Sequence, residues 1–123
     1  MAVRGIRGAT TVPRNDPKEI SSAVRELIFA IVQENELNPE DIAAITITST
    51  PDLNAAFPAA AIRTLPQWEL IPIIGAVELD VPGGLSKCIR LLILVNTDRS
   101  LSEIHHVYLH GAAALRPDLS AKK

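Results

Sequence analysis

Apolar residues recur along this chain with two periods, and the changes between them mark out its elements. Ile20, Val24, Leu27, Ile28, Ile31 and Val32 repeat at helical spacing, with Lys18, Arg25, Glu26 and Glu34 off the stripe. Asp16 suits an N-cap, Pro17 the first helical position and Glu19 the reciprocal capping-box position. Asn35 and the Asn38-Pro39 pair end this helix. Ahead of it, positions 2–12 are poor in helix formers and read as a strand. There Gly5 and Gly8 permit close approach of another backbone or of a ligand.

Positions 43–49 alternate apolar and hydroxyl residues, the pattern of a half-buried strand. A loop begins at Thr50-Pro51-Asp52, and Phe57-Pro58 starts a short helix running to about position 65. Positions 70–74 read as a buried strand, 75–80 are ambiguous, and Val81-Pro82-Gly83-Gly84 is a turn. Positions 87–95 form a strongly apolar strand interrupted by Arg90, 96–102 a polar connection and 104–110 the last strand. Strands and helices do not alternate regularly. The expectation is therefore an α+β domain, a mixed five-stranded sheet packed on one long helix plus a short one. One long helix leaves a face or edge of such a sheet uncovered, and self-association would cover it. At 123 residues the chain is expected to be one domain, 1–123, with 120–123 a free tail.

Composition narrows the function. Hydrophobic residues make up 47% of the chain but aromatics only 3%, so the core is aliphatic and platforms for stacking bases are scarce. The net charge of -2 supplies no basic field for nucleic acid. Any anion site must be a local cluster of arginines. Cys88 is the only cysteine, which excludes an intrachain disulfide and a thiolate metal cluster. The start of the chain lacks the apolar core of a signal peptide and no stretch is long enough to span a membrane, so a cytoplasmic location is expected.

Arg90 is the most informative residue, because both faces of its strand read as apolar. A charge there needs partners: an acid such as Glu78 or Asp80, or an anionic ligand. Arg7 lies mid-strand between glycines, Glu78 before the turn and Arg63 on the short helix, each of which also suits an exposed position. Tyr108 alternates with His106 and His110 and suits burial with its hydroxyl satisfied. His106 and His110 would stand about 13 Å apart on a strand, with no acid cluster beside them, so no metal is implied. Cys88 reads as a packed small residue rather than a nucleophile. No Ser-His-Asp pattern, P-loop or dinucleotide fingerprint stands out. The residues alone thus describe a candidate site for a small anion.

Several stretches together resemble a known family. They are Val3-Arg4-Gly5-Ile6-Arg7-Gly8-Ala9-Thr10-Thr11, Thr50-Pro51-Asp52-Leu53 leading to Phe57-Pro58, then Glu78, Asp80, Gly83-Gly84 and Lys87-Cys88-Ile89-Arg90. His106-Val107-Tyr108-Leu109 and Leu115-Arg116-Pro117-Asp118-Leu119 complete the set. In order and spacing the chain resembles the AroH class of chorismate mutase from residue 3 to about 120. The resemblance implies a trimeric pseudo-barrel with active sites in the clefts between subunits. It also implies a Claisen rearrangement of chorismate to prephenate, toward phenylalanine and tyrosine, with no cofactor. That pericyclic step requires no nucleophile, base or metal. It needs a compact substrate conformer and a cation where the breaking ether gathers charge.

By this resemblance Arg90 is the cation, Arg7 supports it, and Glu78 accepts a hydrogen bond from the ring hydroxyl. Tyr108 would hold the side-chain carboxylate. Phe57, Ala59 and Arg63 would wall the pocket from a neighbouring subunit, while Ile74 and Gly75 line it from the subunit of Arg90. Leu115 and Arg116 would close over it. Two positions depart from the pattern: Ala60, where relatives often carry lysine, and Gly75, where a cysteine can occur. Two rival readings are a catalytically silent trimeric binder of small carboxylates and a related pseudo-barrel enzyme such as an imine deaminase.

Overall fold

The computed structural model describes residues 2–115. Five strands, β1 (Ala2–Thr11), β2 (Ile42–Ser49), β3 (Ile73–Val77), β4 (Cys88–Thr97) and β5 (Val107–Tyr108), form one sheet in the order β3-β2-β4-β1-β5. β4 is central and runs antiparallel to both β1 and β2, while β3 is parallel to β2 and β5 to β1. Two helices, α1 (Pro17–Asn35) and α2 (Pro58–Arg63), complete the α+β architecture expected from the sequence.

The helical stripe buries Ile20, Val24, Leu27, Ile28 and Ile31 in one cluster with Ile6 of β1 and the odd positions of β4, Ile89, Leu91, Ile93 and Val95. Each fully buried aliphatic side chain contributes roughly 1.5–3 kcal/mol, and this layer is the core. Gly8 is where the helix comes closest: a Cβ there would lie 2.5 Å from Ile31 Cδ1. Asp16 caps α1 by accepting from the backbone N–H groups of Lys18 and Glu19. The expected reciprocal half of a capping box is replaced, because the Glu19 carboxylate pairs with Arg14. At the other end, buried Asn35 donates to the carbonyls of Ile31 and His105 and accepts from the His105 N–H. It thereby ties the helix to the segment that enters β5.

Three expectations are corrected. The strand expected at 70–74 is Ile73–Val77, and it is a sheet edge whose Ile74 and Val77 are exposed in the single chain. The apolar run from Leu70 signals surface that one chain leaves open, not burial within it. The last strand shrinks from 104–110 to Val107–Tyr108. His110 has a left-handed φ of 52°, which ends the strand and opens a 3-10 turn over His110–Leu115. β4 also has one apolar core face rather than two: Leu92 and Leu94, on the side away from α1, are exposed.

Candidate active site

Sheet register assembles the site. Ala76, Thr48, Arg90, Ala9 and Tyr108 are mutual partners across all five strands, so they form one row on the face away from α1. Arg7 lies two residues before Ala9 and therefore on the same face. Its own backbone N–H donates to His106 Nδ1 (2.9 Å), which stands in for a strand partner just where β5 begins. Its guanidinium sits 5.9 Å from the centroid of the Tyr108 ring. Glu78 follows β3, with its N–H bonded to the Ser49 carbonyl at 2.9 Å, and turns back over the row.

Arg90 and Glu78 form a two-pronged pair. Arg90 Nε donates to Glu78 Oε2 at 2.9 Å and Nη2 donates to Oε1. The Thr48 hydroxyl donates to Oε2 as well. The Arg90 hydrogen bonds hold the Glu78 carboxyl below the usual carboxylate range. Burial opposes this, and Thr48 and the nearby charge of Arg7 reinforce it. Glu78 in turn raises the pKa of Arg90, so both groups are charged at neutral pH. A guanidinium has five N–H donors, and Glu78 engages two of Arg90's among the described residues. The remaining three find no partner among the described residues, and the Arg90 side chain keeps 38% of its exposure.

The pair opens onto a cavity of about 630 Å³ whose wall includes Thr50, Asp52, Leu85, Cys88 and Leu115. That size suits a small organic ligand. Asp52 holds the mouth in shape by accepting from the Lys87 N–H at 3.0 and 3.1 Å. Burial pushes the Cys88 thiol up to about 11, which suits a packed wall residue rather than a nucleophile. Tyr108 is 4% exposed and its buried hydroxyl has no hydrogen-bond partner among the described residues. The hydroxyl expected to be satisfied thus finds no partner among the described residues. An orphaned buried hydroxyl costs roughly 1–3 kcal/mol and marks a place for a polar ligand group.

The structure thus brings together Arg7, Glu78, Arg90, Tyr108 and Leu115. Ile74 shares the face as partner of Thr46, but neither it nor Gly75 lines the cavity. Phe57, Ala59 and Arg63 lie at or on α2, away from it, and Phe57 is 85% exposed. Arg116 is outside the described residues. Thr48 was missed, although the alternation of hydroxyls at 46, 48 and 50 already put it on the polar face of its strand.

Residues 3–119 match the family model of chorismate mutase type I. The chain belongs to the type I chorismate mutases. It is 47% identical over 123 residues to chorismate mutase AroH of Bacillus subtilis, covering 100% of this chain and 97% of that one. It is 44% identical over 120 residues to chorismate mutase AroH of Thermus thermophilus, covering 97% and 98%. A solved chorismate mutase from Clostridium thermocellum superposes with a TM-score of 0.87 at 44% identity, over 90% of this chain and 98% of that one. For a type I chorismate mutase no nucleophile is needed beside Arg90, since a pericyclic rearrangement forms no bond to the protein.

Proposed function

We propose that this protein converts chorismate to prephenate by an intramolecular Claisen rearrangement, as an isomerase serving phenylalanine and tyrosine synthesis in the cytoplasm. The observation that carries the reading is the Arg90–Glu78 pair, charged, half-shielded and facing a ligand-sized cavity with three guanidinium donors to spare. A pure anion binder gains nothing from a carboxylate beside its ligand, whereas this reaction separates charge. As the ether C–O bond breaks ahead of C–C bond formation, negative charge gathers on the ether oxygen and positive character on the ring. Arg90 stabilises the first and Glu78, accepting from the ring hydroxyl, the second. Both effects are stronger in the transition state than in the bound substrate, the condition for raising turnover. Arg7 and the Tyr108 hydroxyl take the substrate's carboxylate oxygens and hold the compact conformer.

Phe57, Ala59 and Arg63 act in the cleft of a neighbouring copy in a homotrimer. Two features support this. They stand away from their own chain's cavity, and the sheet face bearing Val3, Ile74, Leu92 and Leu94 is apolar and exposed. The test is to mix purified protein with chorismate, follow the loss of its absorbance and identify prephenate as product. Absence of turnover at high enzyme concentration would sink the reading. Sedimentation of the same sample tests the trimer.

A further inference from the structure

The Glu78 carboxylate has acceptor sites that the Arg90 pair does not fill. An ionised carboxylate only accepts hydrogen bonds and has about four lone-pair sites, two on each oxygen. Oε2 takes the Thr48 hydroxyl and Arg90 Nε, and Oε1 takes Arg90 Nη2. Oε2 is therefore full and Oε1 has one site left. We infer that Thr48 is a positioning residue for the rearrangement: by filling Oε2 beside Arg90 it leaves Oε1 as the acceptor for the ligand's ring hydroxyl.

Geometry supports the assignment from the backbone upward. Thr48 and Arg90 are register partners on β2 and β4, so both donors to Oε2 are placed by the sheet ladder rather than by mobile loops. Glu78 itself stands just beyond β3, where only its backbone bond to Ser49 anchors it. Without the Thr48 hydroxyl, Glu78 is held by Arg90 alone. The two Arg90 bonds still fix the carboxylate plane, but Oε2 then has a vacant acceptor site as well, so either oxygen can take the ligand's hydroxyl. A threonine here for strand propensity or packing alone would be replaced by valine without consequence.

The inference rests on the proposed role of Glu78, so the test has one arm that needs no turnover. Thr48→Val keeps the shape and removes the donor; Thr48→Ser keeps the donor and loses a methyl. Expected for Thr48→Val are a fall of about tenfold in kcat/KM, from loss of one hydrogen bond to a charged group, and an acid limb of the pH profile moved upward. Carboxyl-carbon NMR of the ligand-free protein should show Glu78 titrating at higher pH in Thr48→Val. Thr48→Ser should match the parent in all three. If Glu78 titrates identically in Thr48→Val and the parent, or if Thr48→Ser behaves as Thr48→Val, Thr48 does not position Glu78. If the parent itself fails to turn over chorismate, the functional reading falls while the NMR titration still decides the contact.

Discussion

Replacing Arg90 by glutamine removes one charge from a site that depends on it, and the loss can be sized. A unit charge about 3 Å from another, at an effective dielectric constant near 20, interacts by about 5.5 kcal/mol. If roughly half a charge gathers on the ether oxygen, the cation is worth about 3 kcal/mol there, in the range found for lost oxyanion donors. Turnover of Arg90→Gln should therefore fall by roughly 10²–10³-fold. Arg90→Lys should recover only part, because an ammonium lacks the planar fork that grips Glu78 with two parallel bonds. Stability should fall less steeply than turnover, since the Arg90 side chain is 38% exposed, although the more shielded Glu78, 13% exposed, loses its main partner. The assay is initial-rate chorismate consumption beside thermal unfolding of the same sample. Turnover of Arg90→Gln within tenfold of the parent, with Tm unchanged, would refute the electrostatic account.

Further outcomes follow from the same geometry. The folded pKa of Glu78 is lowered, so its stabilising charge is fully present above the ordinary value of about 4.3 and is lost as pH falls through the lower folded value. Plotted against pH, kcat/KM should stay level from neutrality down to about pH 5, with its acid limb below 4.3. In Arg90→Gln, where the largest cause of the lowering is gone, that limb should move up. Tyr108→Phe deletes a hydroxyl that no described residue satisfies, so Tm should hold or rise slightly while KM increases about three- to tenfold; a clear drop in Tm would show a structural partner. Asn35→Ala breaks three hydrogen bonds of a buried side chain, and urea unfolding should report a loss of about 3 kcal/mol with turnover per folded molecule unchanged.

The parts of this molecule that were legible in its sequence are those whose cause is local. The stripe from Ile20 to Ile31 could bury itself only as a helix, and Asp16-Pro17 marked where it starts. Arg90 was conspicuous because a charge inside an aliphatic strand requires a partner. What was not legible depends on register or on the environment of exposed apolar surface. Nothing near position 48 says that it faces Arg90; that follows from how β2 pairs with β4. The strand expected at 70–74 was displaced because the run through Leu70, Ile73, Ile74 and Val77 reads as core, while most of it is surface left open by a single chain. Tyr108 was expected to be satisfied because buried hydroxyls usually are. The roles of Phe57, Ala59 and Arg63 came from resemblance alone, and one chain does not bring them to its own cavity.

The row through Thr48, Arg90, Ala9 and Tyr108 also sets how the protein should respond to heat. Its spacing is that of the strands themselves, about 4.8 Å apiece, so Arg90 and Tyr108 stand two strand widths apart whatever their side chains do. Changing that span means sliding β1 along β4, and a slip of one residue would turn every core side chain outward. The amides that tie β1 to β4 should therefore exchange hydrogen only through global opening, and within one chain loss of this span and loss of fold should fall on one melting curve. Substitutions on the helical side can raise or lower that curve without altering the distance between Arg90 and Tyr108.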